Sequence, residues 1–476
     1  MNILFAASEV APFIKTGGLA DVAGSLPQAL AAQGHDVRVV LPLYEGIGQQ
    51  WREQMTFLFH YNIILAWRTP YCGVFELKRD GVTYYFIDNE FYFKRKSIYG
   101  HYDDGERFAY FSRSVIELCG HLDWHPDVIH ANDWQCALVP IYLLEARYYI
   151  PQLNGTRSVF TIHNIEYQGR YGHEVLTDLF GLDESYFNEK MVAYYGDVNL
   201  MKGAIYAADF TTTVSPTYAN ELQYDFYAHG LAGVVKDCSS KIQGILNGLD
   251  TKLYDPSTDK GIAKNFSPTK MAGKKDCKAA LQERVGLEVN PDVPLIACVS
   301  RLVSHKGFDM VTSILDDIMG MGVQMVVLGT GEWKYEEAFR HTAWKYPGRF
   351  SAQIAYSADL SSAIYAGADL FLMPSVSEPC GLSQMIAMRY GTVPIVRETG
   401  GLRDTVISAG LPDARGFTFA DINAHNMAHV IWEAAEVYRH DPKKFQALQK
   451  AGMTADFTWN GPAGQYIDIY KRITGL

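Results

Sequence analysis

The feature that most constrains this chain is an alternation of short apolar runs with helical stretches, which occurs twice along the sequence. In the first series, residues 2–7 are predicted to form a buried strand, residues 19–33 a helix, and residues 37–41 the next strand. Strand, helix and strand joined by short connections form a βαβ unit, which requires a parallel sheet. The series ends in a strand at 242–246, with extra strands expected between 51 and 87.

The second series begins at Pro294, after a less periodic segment that is rich in Pro, Lys, Asp and Ser. We interpret that segment as a linker with a peripheral helix. At 476 residues the chain is also too long for a single hydrophobic core. The sequence therefore predicts an α/β protein of two Rossmann-like, doubly wound domains. The predicted parts are a first domain at 1–248, a second domain at 249–456, and a C-terminal helix at 457–476 that packs on the first domain.

The composition excludes several other classes of protein. A hydrophobic content of 48% with 20% charged residues is typical of an ordinary globular protein. A formal net charge of −11 argues against a nucleic-acid partner held by bulk electrostatics, but it permits a local basic pocket for a small anion. Seven cysteines without a C-x-x-C pair indicate a reducing compartment. With no recognisable signal peptide or membrane span, we expect a cytoplasmic protein, or one in a plastid-like compartment if its source is a plant.

One carboxylate stands out in the second domain. Glu378 follows an apolar strand that stops at Pro374, and it precedes a helix expected to run to Tyr390. Near a helix N-terminus Glu378 could simply be a favourable helix-end charge. Alternatively, the backbone N–H groups of Gly381 and Leu382 could receive an anionic ligand beside the carboxylate.

A glycine-rich loop follows the first strand and opens the first helix. It contains Lys15, Gly17 and Gly18, so it combines a cation with a close backbone approach at a helix start. The loop is neither a G-x-G-x-x-G nor a Walker A motif, which weakens dinucleotide and P-loop interpretations. A tight strand-to-helix turn without a ligand remains the alternative.

Polar loops also follow two strands in the middle of the first domain. His130 and Asp133 lie at the end of one strand, and His163 and Asn164 at the end of the other. A lone histidine at a strand end is more often a hydrogen-bonded structural residue. The spacing is poor for a metal site, so we expect none. Such groups suit the hydroxyls of a sugar.

A basic pair leads into a helix of the second domain. Arg301 and Lys306 follow the strand predicted at 295–299 and could clamp a diphosphate. A solvated pair of surface charges is the alternative. The Gly331 and Thr399-Gly400 loops are weak signals that lie at the same predicted edge of the sheet.

Taken together and in this order, the motifs resemble those of bacterial glycogen synthases and plant starch synthases. The motifs are Lys15-Thr-Gly-Gly-Leu, His130 to Asp133, Thr161-Ile-His-Asn, Asn247-Gly-Leu-Asp, Arg301 to Lys306, Glu378-Pro-Cys-Gly-Leu and Thr399-Gly-Gly-Leu. The resemblance covers essentially the whole chain. It implies a GT-B fold, with two Rossmann-like domains facing a cleft. It also implies transfer of glucose from ADP-glucose to the non-reducing end of an α-1,4-glucan, with retention of configuration and without a cofactor.

The resemblance also implies roles for residues. Arg301 and Lys306 would hold the diphosphate, and Lys15, Gly17 and Gly18 would lie against the donor. The remaining implied contacts are Asp133, His163 and Asn164 to the transferred glucose, Glu378 with Cys380, Gly381 and Leu382 to its hydroxyls, and Tyr99, Asn247, Gly331, Thr399 and Gly400 elsewhere around the substrate. Many related retaining glycosyltransferases carry a second Glu eight residues after the first, where this chain has Ile386, so the ribose contact stays unassigned.

Three rival functions remain at this point. The first is a nicotinamide-dependent oxidoreductase, which the missing G-x-G-x-x-G motif disfavours. The second is a non-catalytic glucan-binding protein, and the third is a phosphorylase-like enzyme. The sequence does not decide between ADP-glucose and UDP-glucose, or between glycogen and shorter maltooligosaccharides as acceptors. It also leaves the oligomeric state open.

Overall fold

The computed structural model describes all 476 residues and divides into two compact units. Unit 1 comprises Met1–Gly248 and Trp459–Leu476, and unit 2 comprises Leu249–Thr458. No helix combines the length and the hydropathy that crossing a lipid bilayer requires.

Eighteen strands build the sheets. They are β1 Asn2–Ala6, β2 Asp36–Pro42, β3 Thr56–Asn62, β4 Tyr71–Arg79, β5 Val82–Asp88, β6 Val128–Asn132, β7 Arg157–Ile162, β8 Arg170–Gly172, β9 Ala193–Tyr194, β10 Asp197–Asn199, β11 Phe210–Thr213, β12 Ile242–Gly244, β13 Leu295–Val299, β14 Gln324–Leu328, β15 Phe350–Gln353, β16 Leu370–Met373, β17 Val393–Arg397 and β18 Phe417–Phe419.

Twenty α-helices connect or cover these strands. They are α1 Gly18–Ala32, α2 Gln49–Arg52, α3 Glu90–Phe93, α4 Asp104–His121, α5 Leu138–Tyr149, α6 Val175–Asp178, α7 Leu200–Ala207, α8 Pro216–Glu221, α9 Asp225–Ala228, α10 Ala232–Asp237, α11 Ala272–Arg284, α12 Phe308–Ser313, α13 Leu315–Gly320, α14 Trp333–Lys345, α15 Ala358–Gly367, α16 Ser383–Arg389, α17 Gly400–Thr405, α18 Ala424–His440, α19 Pro442–Thr454 and α20 Asn460–Thr474.

The main sheet of unit 1 has nine strands in the order β12-β11-β7-β6-β1-β2-β5-β4-β3. From β12 to β5 all neighbours pair in parallel, as the predicted βαβ units require. The inserted strands expected between 51 and 87 are present as β3, β4 and β5, with β3 and β4 antiparallel at one edge. Asp80 and Gly81 join β4 to β5 with positive φ angles of 51° and 78°, the geometry of a type I′ hairpin turn.

A small antiparallel sheet, ordered β8-β10-β9, was not predicted from the sequence. Its strands have only two or three residues each, so they are too short to show a period-2 pattern of hydrophobicity. The same reason explains why the three-residue strand β18 in unit 2 was missed.

The C-terminal helix α20 belongs to unit 1, where it contacts α1 and β7. Its Tyr470 hydroxyl lies 2.7 Å from Nδ1 of His130, a buried residue of β6. The other ring nitrogen of His130 lies 2.5 Å from the Thr161 hydroxyl. His130 is therefore a hydrogen-bonded structural residue, as the simpler of the two interpretations expected.

Unit 2 is organised by a six-stranded sheet in the order β15-β14-β13-β16-β17-β18, in which every pair is parallel. The predicted strands at 295–299 and 324–328 match β13 and β14. All five residues of β14 are buried, which is typical of a parallel strand covered on both faces. The segment interpreted as a linker contains one long helix, α11.

A buried ion pair joins α11 to this sheet. Lys278 Nζ lies 2.7 Å from Asp369 Oδ2, and it also donates to two backbone carbonyls and to the Tyr438 hydroxyl. Asp369 in turn accepts from the amide of Leu295 at 2.9 Å. The pair therefore anchors the starts of β13 and β16, the two strands that lead into the Arg301 and Glu378 loops.

We expect Asp369→Ala to lower the free energy of unfolding of unit 2 by about 3 kcal/mol, because it leaves a buried ammonium without its counter-charge. Asp359→Ala, which breaks the exposed pair with Arg284, should cost less than about 1 kcal/mol. Urea unfolding followed by intrinsic fluorescence measures both variants. Equal losses would show that the Lys278–Asp369 pair is not an anchor.

Candidate active site

The residues predicted for unit 2 lie in loops at the carboxyl ends of its parallel strands. Arg301 follows β13, Gly331 follows β14, Glu378 follows β16 and Thr399 follows β17. Because β14, β13, β16 and β17 are consecutive neighbours in the sheet, these loops share one edge. This edge is where ligands bind in open parallel sheets.

Lys306 and Glu378 form a direct ion pair. Lys306 Nζ lies 2.9 Å and 2.7 Å from the two carboxylate oxygens of Glu378. The Ser375 hydroxyl donates to Oε2 of the same carboxylate at 2.9 Å. Glu378 is 6% exposed, and its carboxylate contacts Lys306 and Ser375. Because α16 begins only at Ser383, the interpretation of Glu378 as a helix-end charge loses its basis. The resemblance implied separate roles for Lys306 and Glu378, and their pairing was not predicted.

Arg301 differs from Lys306 in its surroundings. Its side chain is exposed, while the backbone of its loop is fixed. The Leu302 amide donates to the Thr330 carbonyl at 2.9 Å, and the Glu332 amide donates to the Leu302 carbonyl at 2.7 Å. Gly331 therefore belongs to the loop that supports Arg301, and its own amide donates to Glu336 at 3.0 Å.

The Thr399-Gly400 motif packs against the backbone of the Glu378 loop. Gly400 has a φ angle of +43°, and a Cβ added there would lie 2.0 Å from the Glu378 carbonyl oxygen. The Gly401 amide donates to the same oxygen at 3.2 Å. Any side chain at position 400 would displace Glu378, which gives this glycine a packing reason besides a contact with a ligand. Cys380, Gly381 and Leu382 continue the loop, and α16 begins only at Ser383.

Apart from Tyr99, which lies between α3 and α4, the residues predicted for unit 1 follow the carboxyl ends of β1, β6, β7 and β12. Asp133 connects two of these strand ends, since its Oδ1 accepts the amides of His163 at 2.7 Å and Asn164 at 3.3 Å. The backbone of Asp133 has φ 57° and ψ 178°, a conformation that residues other than glycine rarely adopt. The structure thus brings Asp133, His163 and Asn164 into contact.

Burial controls the charges of this cluster. It raises the pKa of Asp133 from 3.8 to about 7, even though the His163 and Asn164 amides lower it. Burial also lowers the pKa of His163 to about 3, so the imidazole is neutral near pH 7. Asn132 donates to the carbonyls of Ala6 and His130, which turns its Oδ1 towards His163 Nε2 at 2.9 Å. His163 consequently donates from Nε2 and has an acceptor at Nδ1.

The glycine-rich loop is held by a residue that the sequence did not single out. The Glu9 carboxylate accepts the amide of Thr16 at 2.5 Å, the Thr16 hydroxyl at 2.8 Å and the amide of Gly17 at 3.3 Å. Burial raises the pKa of Glu9 above its usual range. The start of α1, which was expected to attract an anion, therefore already contacts a carboxylate of the chain. The only available signal was a polar Ser8-Glu9 pair directly after a buried strand.

The remaining predicted residues of unit 1 have different surroundings. Lys15 is exposed, and its Nζ lies 2.7 Å from Oδ1 of Asp21 in the first turn of α1. The Tyr99 hydroxyl lies 2.6 Å from the hydroxyl of Ser8, at the end of β1. Asn247 is buried, and its Oδ1 accepts no hydrogen bond. No group of three or more His, Cys, Asp or Glu side chains could hold a metal ion.

Each of the two units has a Rossmann-like parallel sheet with charged or polar loops at its carboxyl edge, and comparisons with known proteins define the class of the chain as a GT-B glycosyltransferase. Residues 2–237 match the starch synthase catalytic domain family, and residues 281–450 match the glycosyl transferases group 1 family. The chain is 46% identical to a glycogen synthase of Bacillus cereus strain B4264 over 475 residues, which is 99% of this chain and 100% of that protein. It is 47% identical to a glycogen synthase of Geobacillus thermodenitrificans, over 99% of this chain and 98% of that protein.

A solved structure agrees with these relatives. The catalytic domain of starch synthase IV from Arabidopsis thaliana, bound to ADP and acarbose, superposes with a TM-score of 0.93 at 33% identity. The comparison covers 100% of this chain and 99% of that one. The chain belongs to the glycogen synthase and starch synthase family and is a hexosyltransferase. The predicted resemblance, fold class and enzyme class are thereby confirmed.

The raised pKa of Asp133 predicts a pH-dependent stability. As pH rises from about 4 to about 7, the unfolded chain loses this proton while the folded chain retains it, so the carboxyl group destabilises the fold increasingly. Asp133→Asn keeps the oxygen that accepts both amides but cannot ionise. We expect the stability of the variant relative to the wild type to increase by about 2 kcal/mol between about pH 5 and about pH 8.

Urea unfolding at the two pH values measures this difference. Asp225→Asn, at an exposed position in the first turn of α9, is the matched control. Its stability relative to the wild type should be the same at both pH values. A pH-independent difference for Asp133→Asn would mean that the carboxyl group is ionised in the folded protein throughout this range.

Proposed function

We propose that this chain transfers glucose from ADP-glucose to the non-reducing end of an α-1,4-glucan, such as glycogen or a maltooligosaccharide, with retention of anomeric configuration. The observation that carries the proposal is full-length similarity to glycogen synthases, together with a close structural match to a starch synthase domain bound to ADP and acarbose.

In this reaction, the bond between the glucose C1 and the diphosphate oxygen breaks. A new bond forms between C1 and a hydroxyl oxygen of the acceptor, and the hydroxyl proton passes to the leaving diphosphate. Negative charge therefore accumulates on the diphosphate, while the sugar carbon becomes more positive. Side chains placed near the diphosphate contribute most if they are cationic and fixed before the reaction.

Arg301 and Lys306 are the cations that fit this task in unit 2. Arg301 is exposed and its planar guanidinium can bind phosphate oxygens in a bidentate manner. Lys306 is held by Glu378, so its ammonium group has a fixed position. Neither assignment requires a metal ion or an organic cofactor.

We assign Glu378 to the hydroxyl groups of the transferred glucose, beside the Cys380, Gly381 and Leu382 backbone. The carboxylate is engaged by Lys306 and Ser375, which fixes its orientation and opposes a role as a nucleophile. A carboxylate has about four lone-pair sites, so it can accept further hydrogen bonds from hydroxyl groups. Thr399 and Gly400 would then support this loop through the backbone contacts described above.

The polar cluster of unit 1 supplies neutral hydrogen-bonding groups, which we assign to the glucose and the acceptor. Neutral His163 has an acceptor nitrogen, and the carboxyl group of Asp133 can be protonated near neutral pH. Asn247 has an oxygen that accepts no hydrogen bond within the chain, which suits a sugar hydroxyl. We assign Asn164 to the same glucose, Lys15, Gly17 and Gly18 to the sugar-nucleotide donor, and Tyr99 to a position elsewhere around the substrate.

The proposed compartment is the cytoplasm. All seven cysteines are free thiols and all are buried, which suits a reducing compartment.

Initial rates with ADP-glucose and UDP-glucose on one glycogen preparation test the proposed function. We expect ADP release that requires glycogen, at a kcat/KM at least about tenfold above that of UDP release. Proton NMR of the newly formed linkage should show the α configuration. A preference for UDP-glucose would refute the proposed donor. Release of glucose 1-phosphate from glycogen and orthophosphate, without a sugar nucleotide, would favour the phosphorylase alternative.

The roles of the ion pair predict the effect of Lys306→Ala. The substitution removes a cation from the diphosphate and leaves the buried Glu378 carboxylate with only Ser375. We expect kcat/KM for ADP-glucose to fall at least about tenfold, equivalent to about 1.4 kcal/mol of transition-state stabilisation.

Lys345→Ala is the matched control, since Lys345 lies in the same unit and pairs with Asp316 at an exposed position. Its activity should stay within about twofold of the wild type, because an exposed ion pair contributes little. A loss for Lys306→Ala no larger than that of the control would remove Lys306 from the proposed mechanism.

A further inference from the structure

Arg397 is a buried cation whose side-chain contacts are unusual. It is the last residue of β17 and is 4% exposed. Its Nε donates to the Ser375 carbonyl at 2.8 Å, its Nη2 to the Val376 carbonyl at 2.5 Å, and its Nη1 to the Ala420 carbonyl at 3.2 Å. Buried charges are normally paired with an opposite charge, yet all three of these acceptors are backbone carbonyls.

Two of those carbonyls belong to the loop that carries Glu378. Ser375 and Val376 lie between the end of β16 and Glu378, where the chain has no sheet partner. A planar guanidinium with donors in a fixed fork can bind neighbouring carbonyls in only one arrangement. Arg397 therefore fixes two consecutive peptide groups of this loop against the end of β17, and its third bond ties them to the residue after β18.

The contacts continue from these peptide groups to both members of the ion pair. Ser375, held through its carbonyl, donates its hydroxyl to Glu378 Oε2 at 2.9 Å. Val376, also held through its carbonyl, donates its amide to the His305 carbonyl at 2.8 Å, next to Lys306. The two loops that carry Lys306 and Glu378 thus meet at peptide groups that Arg397 holds.

We propose that Arg397 is a positioning residue that orients Glu378 and Lys306 for glucosyl transfer. It touches neither carboxylate nor ammonium, so it acts through the Ser375 and Val376 peptide groups. The inference rests on the proposed function, because the catalytic roles of Glu378 and Lys306 belong to that proposal. It adds a residue that neither the sequence motifs nor the roles assigned above include.

The test is the kinetics of Arg397→Lys. This variant retains a cation, but it replaces the planar guanidinium, which donates from three nitrogens, with a single ammonium nitrogen. We expect kcat to fall between about tenfold and about 100-fold, because displacements near 1 Å in an active site have effects of this size. The KM for glycogen should change less than about twofold, because the acceptor does not contact this loop in the proposal. Arg397→Gln, which keeps one amide donor, should lose more activity than Arg397→Lys.

Arg349→Lys is the matched control. Arg349 also donates to backbone carbonyls of unit 2, those of Met319 and Val323, but it precedes β15 at the opposite ends of the strands. The two lysine variants should have similar melting temperatures, while only Arg397→Lys should lose activity.

A double-mutant cycle with Glu378→Gln distinguishes positioning from general damage. If Arg397 acts through the Glu378 carboxylate, Arg397→Lys should cost less than about threefold in the Glu378→Gln background, far less than in the wild type. An equal loss in both backgrounds would overturn the proposal. It would also be overturned by wild-type kcat in Arg397→Lys, or by unfolding of both Arg397 variants while Arg349→Lys stays folded.

All ratios are measured relative to the wild type with whichever sugar nucleotide gives turnover. Absence of turnover with ADP-glucose would therefore refute the proposed donor without affecting the conclusion on Arg397. A selective, Glu378-dependent loss of kcat would support the positioning role with any donor.

Discussion

Parallel pairing of strands is the constraint on which the rest of this structure depends. A parallel sheet with helices on both faces buries its strands completely, so polar side chains with a chemical role must lie beyond the strand ends. In unit 2, the fully buried β14 lies beside β13, whose following loop exposes Arg301. In unit 1, the same rule brings Asp133 and His163 together, because β6 and β7 are neighbours. The connectivity therefore places the candidate residues before any specific side-chain contact forms.

The two units use opposite electrostatic arrangements at these strand ends. In unit 2, the buried Glu378 is matched by Lys306, so a charged pair is maintained by direct contact. In unit 1, burial shifts the pKa of Asp133 upwards and that of His163 downwards, and both shifts favour the neutral forms. Neutral groups suit sugar hydroxyls, which donate and accept hydrogen bonds without charge. Cations suit phosphate oxygens, which is the role that the proposed function gives to Arg301 and Lys306.

The sequence was sufficient for features that depend on local pattern, and insufficient for those that depend on side-chain geometry. Apolar runs with short connections predicted β13 and β14 within their observed bounds, and the turn signals placed the loops after them. Glu9 was missed because its role comes from three donors that approach it in the folded loop. The pairing of Lys306 with Glu378 was missed for the same reason, since 72 residues separate them and only the sheet order makes them neighbours. Gly400 was noticed as part of a motif, but its close packing against the Glu378 carbonyl arises only when the two loops fold together.

On the proposed function, the Lys306–Glu378 pair links recognition of the sugar to stabilisation of the leaving group. An ammonium has three N–H donors, and Glu378 receives bonds on both oxygens, so donor capacity remains for a phosphate oxygen. In the ground state, the Glu378 carboxylate balances the charge of Lys306. It thereby limits the attraction of the Lys306 ammonium to the diphosphate of the bound substrate. As the glycosyl bond breaks, the diphosphate gains negative charge and attracts the ammonium more strongly. An interaction that grows in this way stabilises the transition state more than the bound substrate, which is what raises kcat.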